Sequence, residues 1–185
     1  LADFIAQVEG GPARGVAIAY DSRRFSPEFA MEAAKVLCAN GVKVYLYESL
    51  RPVPVLSFTV RELGCIAGIV ITASHNPKIY NGYKVYWEDG GQLPPDRAEQ
   101  LLSFINRLGY ADAKVMCNQE AKEAGLLTMI GKEMDDRYIA RVRSLCVQPE
   151  LCREMGGTLR IVYSPLNGSG NVPVRRILKE VGFEN

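Results

Sequence analysis

The N-terminal part of the chain alternates short apolar runs with segments of helical periodicity, and this alternation limits the fold more than any other feature. The apolar runs have strand length and are "VAIAY" at Val16–Tyr20, "VKVYLY" at Val42–Tyr47 and "CIAGIVI" at Cys65–Ile71. Glycine ends each intervening helical segment, at Gly41 and at Gly64. Strands that alternate with helices in this way form βαβ units. We therefore predict an α/β fold, a three-layer α/β/α sandwich around a mixed, mostly parallel sheet.

Helices are predicted from apolar spacing together with start and stop signals. Ser26-Pro27-Glu28 combines an N-cap residue, a first-turn proline and a first-turn acid, so a helix should run from Pro27 to about Asn40. Further helices are predicted at Pro52–Leu63, Asp96–Arg107 and Met134–Leu145, whereas Asp112–Leu126 has no clear pattern.

The dipeptide Asn81-Gly82 predicts a β-hairpin, because both central positions of the tightest hairpin turn favour positive φ. Its arms would be Lys78–Tyr80 and Tyr83–Trp87. Alternation along the second arm places Lys84 on the face opposite to Tyr83. The predicted turn therefore brings Lys84 back toward the residues that follow the third apolar run.

A second strand, loop and helix pattern begins near the end of the chain. Gly156-Gly157 precedes "LRIVY", the glycine-rich "SPLNGSG" and the helical "VPVRRILKEVGF". We predict one domain over residues 1–157, clipped at its N-terminus, and the incomplete first strand-helix unit of a second domain over residues 158–185. The glycine-rich turn lacks the Lys-Ser/Thr end of a nucleotide-binding P-loop, so we do not expect it to bind nucleotide.

Composition excludes several classes of partner. The 22 basic residues nearly balance the 21 acidic ones, and no basic stripe is interleaved with aromatics, so we expect no nucleic-acid partner. No apolar run approaches the roughly 20 residues that span a bilayer, so we expect no membrane partner. The five cysteines form no C-x-x-C pair, which is typical of reduced thiols in a cytoplasmic protein. The oligomeric state stays open.

Two polar loops follow apolar runs, Asp21–Ser26 after the first and Thr72–Pro77 after the third. In sheets of this kind ligands bind at the carboxyl ends of the strands, so the two loops are predicted to form one site. Pro77 keeps Asn76 out of the α region, which leaves the loop extended and Ser74 exposed on it.

The chemistry of Ser74 is narrowed by its neighbours. A Ser-His hydrolase is excluded, because the chain has no G-x-S-x-G elbow and because adjacent Ser74 and His75 point to opposite sides of an extended chain. A serine that carries a phosphoryl group needs cations to offset its charge. Arg23 and Lys84 are the cations that the predicted topology places nearest.

Three motifs, taken in order and spacing, resemble the first domain of the α-D-phosphohexomutases. They are Asp21-Ser22-Arg23, Thr72-Ala73-Ser74-His75-Asn76-Pro77 and Asn81-Gly82-Tyr83-Lys84. The longer stretches "NGYKVYWEDGGQLPP" and "YSPLNGSGNVPVRR" are most similar to the bacterial α-phosphoglucomutase branch. The resemblance covers nearly the whole chain.

The resemblance implies an intramolecular phosphotransferase of carbohydrate metabolism that acts on a hexose phosphate. Ser74 would be phosphorylated in the resting enzyme and would donate its phosphoryl group to one hydroxyl of the sugar. It would then take back the other phosphate of the bisphosphate intermediate. Glucose-1-phosphate and glucose-6-phosphate would be interconverted in this way.

Five further residues receive roles from the resemblance. Arg23 and Lys84 would handle the proton of the attacking hydroxyl and the charge on the transferring group. His75 would orient the loop or the substrate. Asn76, through side-chain hydrogen bonds, and Asp21 would support the loop.

The same resemblance implies Mg²⁺ and a hexose 1,6-bisphosphate as cofactors, with Ser74 supplying one metal ligand through its phosphate oxygen. The family's loops Asp-Gly-Asp-x-Asp-Arg and Gly-Glu-x-Ser-Gly, and its phosphate clamp with Arg and Ser-Gly-Thr, do not occur in this sequence. The acids Glu133, Asp135 and Asp136 lie at a predicted helix start, where they complement the helix dipole. The remaining metal ligands are therefore expected outside this chain.

It follows that the chain alone is not expected to turn over sugar phosphates, whereas the full-length protein would. Two alternatives stay open at this point. One is a phosphomannomutase or phosphopentomutase, since the sugar-reading loop is missing. The other is a non-catalytic module that binds sugar phosphates and keeps the fold.

Overall fold

The computed structural model describes residues 1–183, and their contacts form two compact units, one of Leu1–Ile130 and one that starts at Gly131. The predicted domain boundary after Gly157 stays a prediction. The last two residues of the segment predicted to begin a second domain, 184 and 185, lie outside the described residues.

The first unit is built on a five-stranded sheet. The strands are β1 (Val16–Tyr20), β2 (Val44–Tyr47), β3 (Ala67–Ile71), β4 (Tyr83–Trp87) and β5 (Leu127–Ile130), in the spatial order β4-β3-β1-β2-β5. The helices are α1 (Ala2–Ile5), α2 (Gly11–Arg14), α3 (Ser26–Ala39), α4 (Val53–Glu62), α5 (Pro95–Ile105) and α6 (Asn118–Glu123), with a 3₁₀ turn at Tyr110–Asp112. Of these five described strands, only β4 is antiparallel to its neighbour, which confirms the predicted mixed, mostly parallel sheet.

Helices cover both faces of this sheet because the chain reverses direction across β1. The connection from β1 to β2 and the one from β2 to β3 run in opposite directions, and right-handed crossovers then place α3 and α4 on opposite faces. Alternate β1 residues Val16 and Ile18 join the core cluster that includes Ala30 and Ala34 of α3. On β3, a Cβ at Gly68 would lie 2.6 Å from Val60 Cγ2 of α4. The three-layer arrangement is therefore confirmed.

The predicted hairpin at Asn81-Gly82 is wrong. Residues Lys78–Tyr80 form no strand, and β4 pairs instead with β3 itself, Ile71 opposite Tyr83 and Ala67 opposite Trp87. Neither Asn81 nor Gly82 has positive φ. Gly82 is required for space, because a Cβ there would lie 2.6 Å from the carbonyl oxygen of Thr72.

The second unit consists of helices α7 (Lys132–Arg143), α8 (Pro149–Gly156) and α9 (Asn171–Val181). Ion pairs join α9 to α7: Arg176 Nη2 lies 2.7 Å from Asp136 Oδ1, and Arg143 Nη1 lies 3.5 Å from Glu180 Oε2. The predicted strand in "LRIVY" is not formed. A strand needs a neighbour to bond its backbone groups, and in the described part of this unit there is none.

Among residues 1–183, no helix combines the length and the apolar character needed to cross a membrane.

Candidate active site

The two polar loops lie side by side because their strands are neighbours. β1 and β3 are parallel and in register, with Tyr20 opposite Ile71 at their carboxyl ends. The first residue after β1 continues the pairing, since the Asp21 N–H donates to the Ile71 carbonyl at 3.1 Å. The segment Thr72–Gly82, which connects β3 to β4 and is called the serine loop below, therefore starts beside Asp21.

Arg23 holds the serine loop through its backbone. Its Nη2 donates to the carbonyl oxygens of Ser74 at 2.9 Å and Asn76 at 2.7 Å. Its Nη1 donates to those of Pro77 at 2.9 Å and Tyr80 at 3.0 Å. One planar guanidinium thus binds four carbonyls along a seven-residue segment, Ser74 to Tyr80. The predicted proximity of Arg23 to the serine is confirmed, but the contact is with the backbone.

Asp21 orients the guanidinium. Its Oδ2 lies 3.2 Å from Arg23 Nε, and both side chains are 15% exposed. Its Oδ1 accepts hydrogen bonds from the Arg23 backbone N–H at 2.9 Å and from Ser26 Oγ at 2.7 Å. Every nitrogen of the Arg23 side chain therefore faces a protein oxygen. A guanidinium held on all sides has one rotamer available, and the loop it binds is fixed with it.

Ser74 has an unusual backbone at the start of this loop. Its φ is +54°, the left-handed region that non-glycine residues adopt at a cost of about 1 kcal/mol or more. Its N–H donates to Thr72 Oγ1 at 3.1 Å, and its carbonyl is held by Arg23. The side chain is exposed, and within residues 1–183 its hydroxyl has no hydrogen-bond partner. The hydroxyl is thus presented to solvent from a constrained backbone.

The other predicted site residues have fewer contacts. His75 is exposed and makes no hydrogen bond within the described chain. Asn76 takes part through its backbone: the N–H donates to Ala73 at 3.0 Å, and the carbonyl accepts from Arg23. The predicted side-chain bonds of Asn76 are therefore wrong for this structure, because the tight turn uses the backbone groups instead.

Lys84 is the second residue of β4, just after the serine loop ends. It is half-buried and opposite Val70 of β3, so it shares the sheet face of Val70. Its ammonium has no ion pair or hydrogen bond among residues 1–183. An uncommitted cation at this edge of the sheet is available to a ligand.

The phenol of Tyr20, at the end of β1, is neutral at ordinary pH. Burial raises its pKa above 10.0, the nearby Arg51 partly opposes this, and Glu48 adds to it.

The residues described do not by themselves fit a magnesium centre. No group of three or more His, Cys, Asp or Glu side chains within residues 1–183 is placed to hold a metal ion. Of the acids near the start of α7, Asp136 pairs with Lys132 at 2.7 Å and Glu133 with Arg137 at 2.6 Å. Magnesium needs near-octahedral oxygen ligands, of which this chain would supply one through a phosphate on Ser74.

Two supporting residues were missed by sequence reasoning. Ser26 does not cap α3. Phe25 is the N-cap, with φ of +66° and no side-chain bond, while the Ser26 hydroxyl goes to Asp21. Asn81 donates from Nδ2 to Ser26 Oγ at 3.0 Å. In the sequence Ser26 indicated only a helix N-cap and Asn81 only a turn, and neither pattern reveals the hydrogen bond between them.

The chain is similar to known proteins over most of its length. A family model described as "Phosphoglucomutase/phosphomannomutase, alpha/beta/alpha domain I" matches residues 1–112. A protein named "Phosphoglucomutase" from Staphylococcus epidermidis (strain RP62A) is 38% identical over 169 residues, 91% of this chain and 30% of the relative. One from Staphylococcus haemolyticus (strain JCSC1435) is 37% identical over 187 residues, 100% of this chain and 32% of the relative. The chain spans about a third of the length of these curated relatives.

Solved structures give the same fold. The crystal structure of a protein assigned as a phosphomannomutase from Thermus thermophilus matches with a TM-score of 0.77 at 23% identity. The match covers 99% of this chain and 38% of that one. At this identity the likeness bears on the fold alone.

Proposed function

The chain belongs to the phosphoglucomutase/phosphomannomutase family, and from that membership we propose that Ser74 is the phosphoryl carrier of a phosphohexomutase. The observation that carries the proposal is the geometry of Ser74. Its hydroxyl is exposed and unbonded within the described residues, while its backbone is held in the left-handed region by the Arg23 guanidinium. Strain of this kind persists where the surroundings enforce it, and it clusters at functional sites.

The proposed reaction interconverts glucose-1-phosphate and glucose-6-phosphate through a bisphosphate. The bond between phosphorus and Ser74 Oγ breaks as a bond forms from phosphorus to the free C1 or C6 hydroxyl of the sugar. The proton of that hydroxyl ends, net, on Ser74 Oγ. The bisphosphate then returns its other phosphoryl group to Ser74 by the reverse step, which leaves the phosphate on the new carbon.

We assign Arg23 and Lys84 different roles in this transfer. An arginine keeps its proton at any ordinary pH, and the nitrogens of Arg23 are occupied by loop carbonyls and Asp21, so Arg23 acts by placing Ser74 and by its charge. The uncommitted Lys84 ammonium is the group available to neutralise the transferring phosphoryl. His75, exposed and unbonded in the described chain, would orient the sugar phosphate.

Mg²⁺ would offset phosphate charge when bound in the whole protein. By themselves the described residues supply no complete metal centre. We propose glucose phosphate, rather than mannose or pentose phosphate, as the substrate. This preference rests on the names of the relatives at 37–38% identity, which are phosphoglucomutases.

The test is mass spectrometry of the native protein that contains this chain. We expect phosphate on Ser74 in the resting protein, its exchange with isotopically labelled phosphate during incubation with labelled glucose-1-phosphate, and phosphorylation of a dephosphorylated sample by glucose 1,6-bisphosphate. Ser74→Ala should abolish both the modification and a coupled glucose-1-phosphate assay. A native protein without phosphate on Ser74 whose Ser74→Ala variant retains full activity would contradict the proposal and would favour different chemistry or a binding module.

Three further measurements refine the assignment. Lys84→Gln should lower the rate at which Ser74 is phosphorylated, while leaving the fold intact because the Lys84 ammonium makes no ion pair or hydrogen bond within the described residues. Mannose 1,6-bisphosphate should phosphorylate Ser74 more slowly than the glucose compound. The 185-residue chain on its own is expected to show no sustained turnover in the coupled assay with magnesium.

A further inference from the structure

A buried serine, Ser26, is hydrogen-bonded to both loops of the site. Ser26 has no exposed surface. Its hydroxyl donates to Asp21 Oδ1 at 2.7 Å and accepts from Asn81 Nδ2 at 3.0 Å. Asp21 follows β1, and Asn81 is the penultimate residue of the serine loop. One hydroxyl therefore connects the loop after β1 with the loop after β3.

Each partner of Ser26 holds part of the serine loop in turn. Asp21 contacts the Arg23 guanidinium, which binds the carbonyls of residues 74, 76, 77 and 80. Asn81 Oδ1 accepts the N–H of Gly82 at 2.9 Å, where the loop closes onto β4. The two branches meet at the Ser26 hydroxyl, and together they hold backbone groups of the loop from Ser74 to Gly82.

We propose that Ser26 is a positioning residue that fixes the geometry of Ser74 through Asp21 and Asn81. Ser26 touches neither Ser74 nor any group that would react. Without the Ser26 hydroxyl, Asp21 Oδ1 keeps only the Arg23 N–H as a donor, and Asn81 Nδ2 keeps only the Arg24 carbonyl at 3.5 Å, so both side chains are held by fewer bonds. When the contacts of both Asp21 and Asn81 are loosened, the serine loop samples several backbone conformations at Ser74. The effect of this on phosphoryl transfer rests on the function proposed above, whereas the effect on loop order does not.

The experiment compares Ser26→Ala and Asn81→Ala with Glu28→Ala, an exposed residue on the same turn of α3. Thermal melts identify folded variants, and Asn81→Ala tests the same junction if Ser26→Ala does not fold. Hydrogen exchange of the Ser74 and Asn76 amides should rise about tenfold in both test variants, because both lose the hydrogen bond between Ser26 and Asn81, and should stay at the wild-type rate in Glu28→Ala.

A second readout separates this inference from the proposed function. In the native protein, phosphorylation of Ser74 by glucose 1,6-bisphosphate should slow about tenfold in both test variants. Wild-type exchange in Ser26→Ala and Asn81→Ala would overturn the positioning role. Faster loop exchange in a protein whose wild type never carries phosphate on Ser74 would uphold the positioning role and refute the proposed function.

A separate observation concerns two thiols of the second unit. Cys146 follows α7, and Cys152 lies in α8, with their sulfur atoms 3.7 Å apart and both side chains partly exposed. The hydrogen bond with Cys146 raises the pKa of Cys152 above 9.0. The other thiols differ: Cys38 and Cys65 are buried, and Cys117 is exposed, with its sulfur accepting the Glu120 N–H.

We infer that Cys146 and Cys152 form a reversible disulfide when a low-molecular-weight disulfide is the oxidant. A thiolate of the pair attacks oxidised glutathione and releases one glutathione. The second thiolate then displaces the other glutathione, so two thiols are oxidised and one disulfide is reduced. The sulfurs need to close from 3.7 Å to the covalent distance of about 2.05 Å.

Treatment of the protein with oxidised glutathione, followed by mass spectrometry under non-reducing conditions, tests this inference. The segment with Cys146 and Cys152 should lose the mass of two hydrogen atoms, retain no glutathione and revert with dithiothreitol. Cys146→Ser and Cys152→Ser should each leave a stable glutathione adduct on the remaining thiol. The same stable adduct is expected on exposed Cys117. Stable adducts on both thiols of the wild-type pair, or no reaction there while Cys117 reacts, would overturn the inference.

Discussion

Replacing Arg23 by lysine separates the charge of this residue from its shape. Lysine keeps the positive charge but has one nitrogen in place of a planar fork, so it cannot bind four carbonyls and face Asp21 at once. The wild-type side chain, itself 15% exposed, makes four hydrogen bonds of 2.7 to 3.0 Å to exposed residues of the serine loop. If charge alone mattered, Arg23→Lys would leave the loop unchanged.

The expected loss follows from counting those bonds. Each contributes a net 0.5–1.5 kcal/mol or so, and the exposed setting favours about 0.5 kcal/mol. If lysine retains one of the four bonds, the serine loop loses about 1.5 kcal/mol of protection against opening. Hydrogen exchange of amides bonded within the loop, those of Asn76 and Tyr80, should then be roughly tenfold faster.

Arg24→Lys is the matched control for this measurement. Its guanidinium lies over the Phe25 ring, 4.7 Å from the centroid, and makes none of the loop contacts. Amide exchange by nuclear magnetic resonance, with global stability from a urea melt, distinguishes loop opening from unfolding. Equal exchange at Asn76 in Arg23→Lys and Arg24→Lys would refute the claim that the fork of Arg23 orders the loop.

Two other predictions concern stability. Gly82→Ala should destabilise the protein by about 1–3 kcal/mol in a thermal melt, because the added Cβ would lie 2.6 Å from the Thr72 carbonyl oxygen. Gly157→Ala is the control, since a Cβ at Gly157 would meet open space. Equal melting temperatures of the two variants would contradict the close packing at Gly82. Burial raises the pKa of Cys65 from 9.0 to about 11, so the neutral thiol favours the folded state. This stabilisation is complete below pH 9 and is lost as the pH rises to about 11, roughly 3 kcal/mol in all. Urea melts of Cys65→Ala should show a smaller loss of stability over that range than the wild type, and parallel curves would disprove the assignment.

The parts of the fold that sequence reasoning predicted correctly are those with a local cause. Apolar runs became β1, β2 and β3, and the helical segments between them became α3 and α4, because burial on both faces of a parallel sheet demands such runs. The pairing of β4 was mispredicted because Asn81-Gly82 favours a local turn, whereas an open strand position beside β3 offers five backbone partners. β5 was missed because only two of its four residues, Leu127 and Ile130, are shielded from solvent.

By itself the sequence determined which two loops form the site, since strands in adjacent parallel positions end at one edge and the motifs lie just past those ends. It also determined that Ser74, rather than the lone histidine, is the candidate for chemistry. Only the tertiary structure decided how Ser74 is held. Arg23 donates to carbonyls of residues 51 to 57 positions further along the chain, and Ser26 is hydrogen-bonded to Asn81, 55 positions away. Such contacts leave no periodic trace in the chain, because they depend on where packing places distant backbone groups rather than on any local preference.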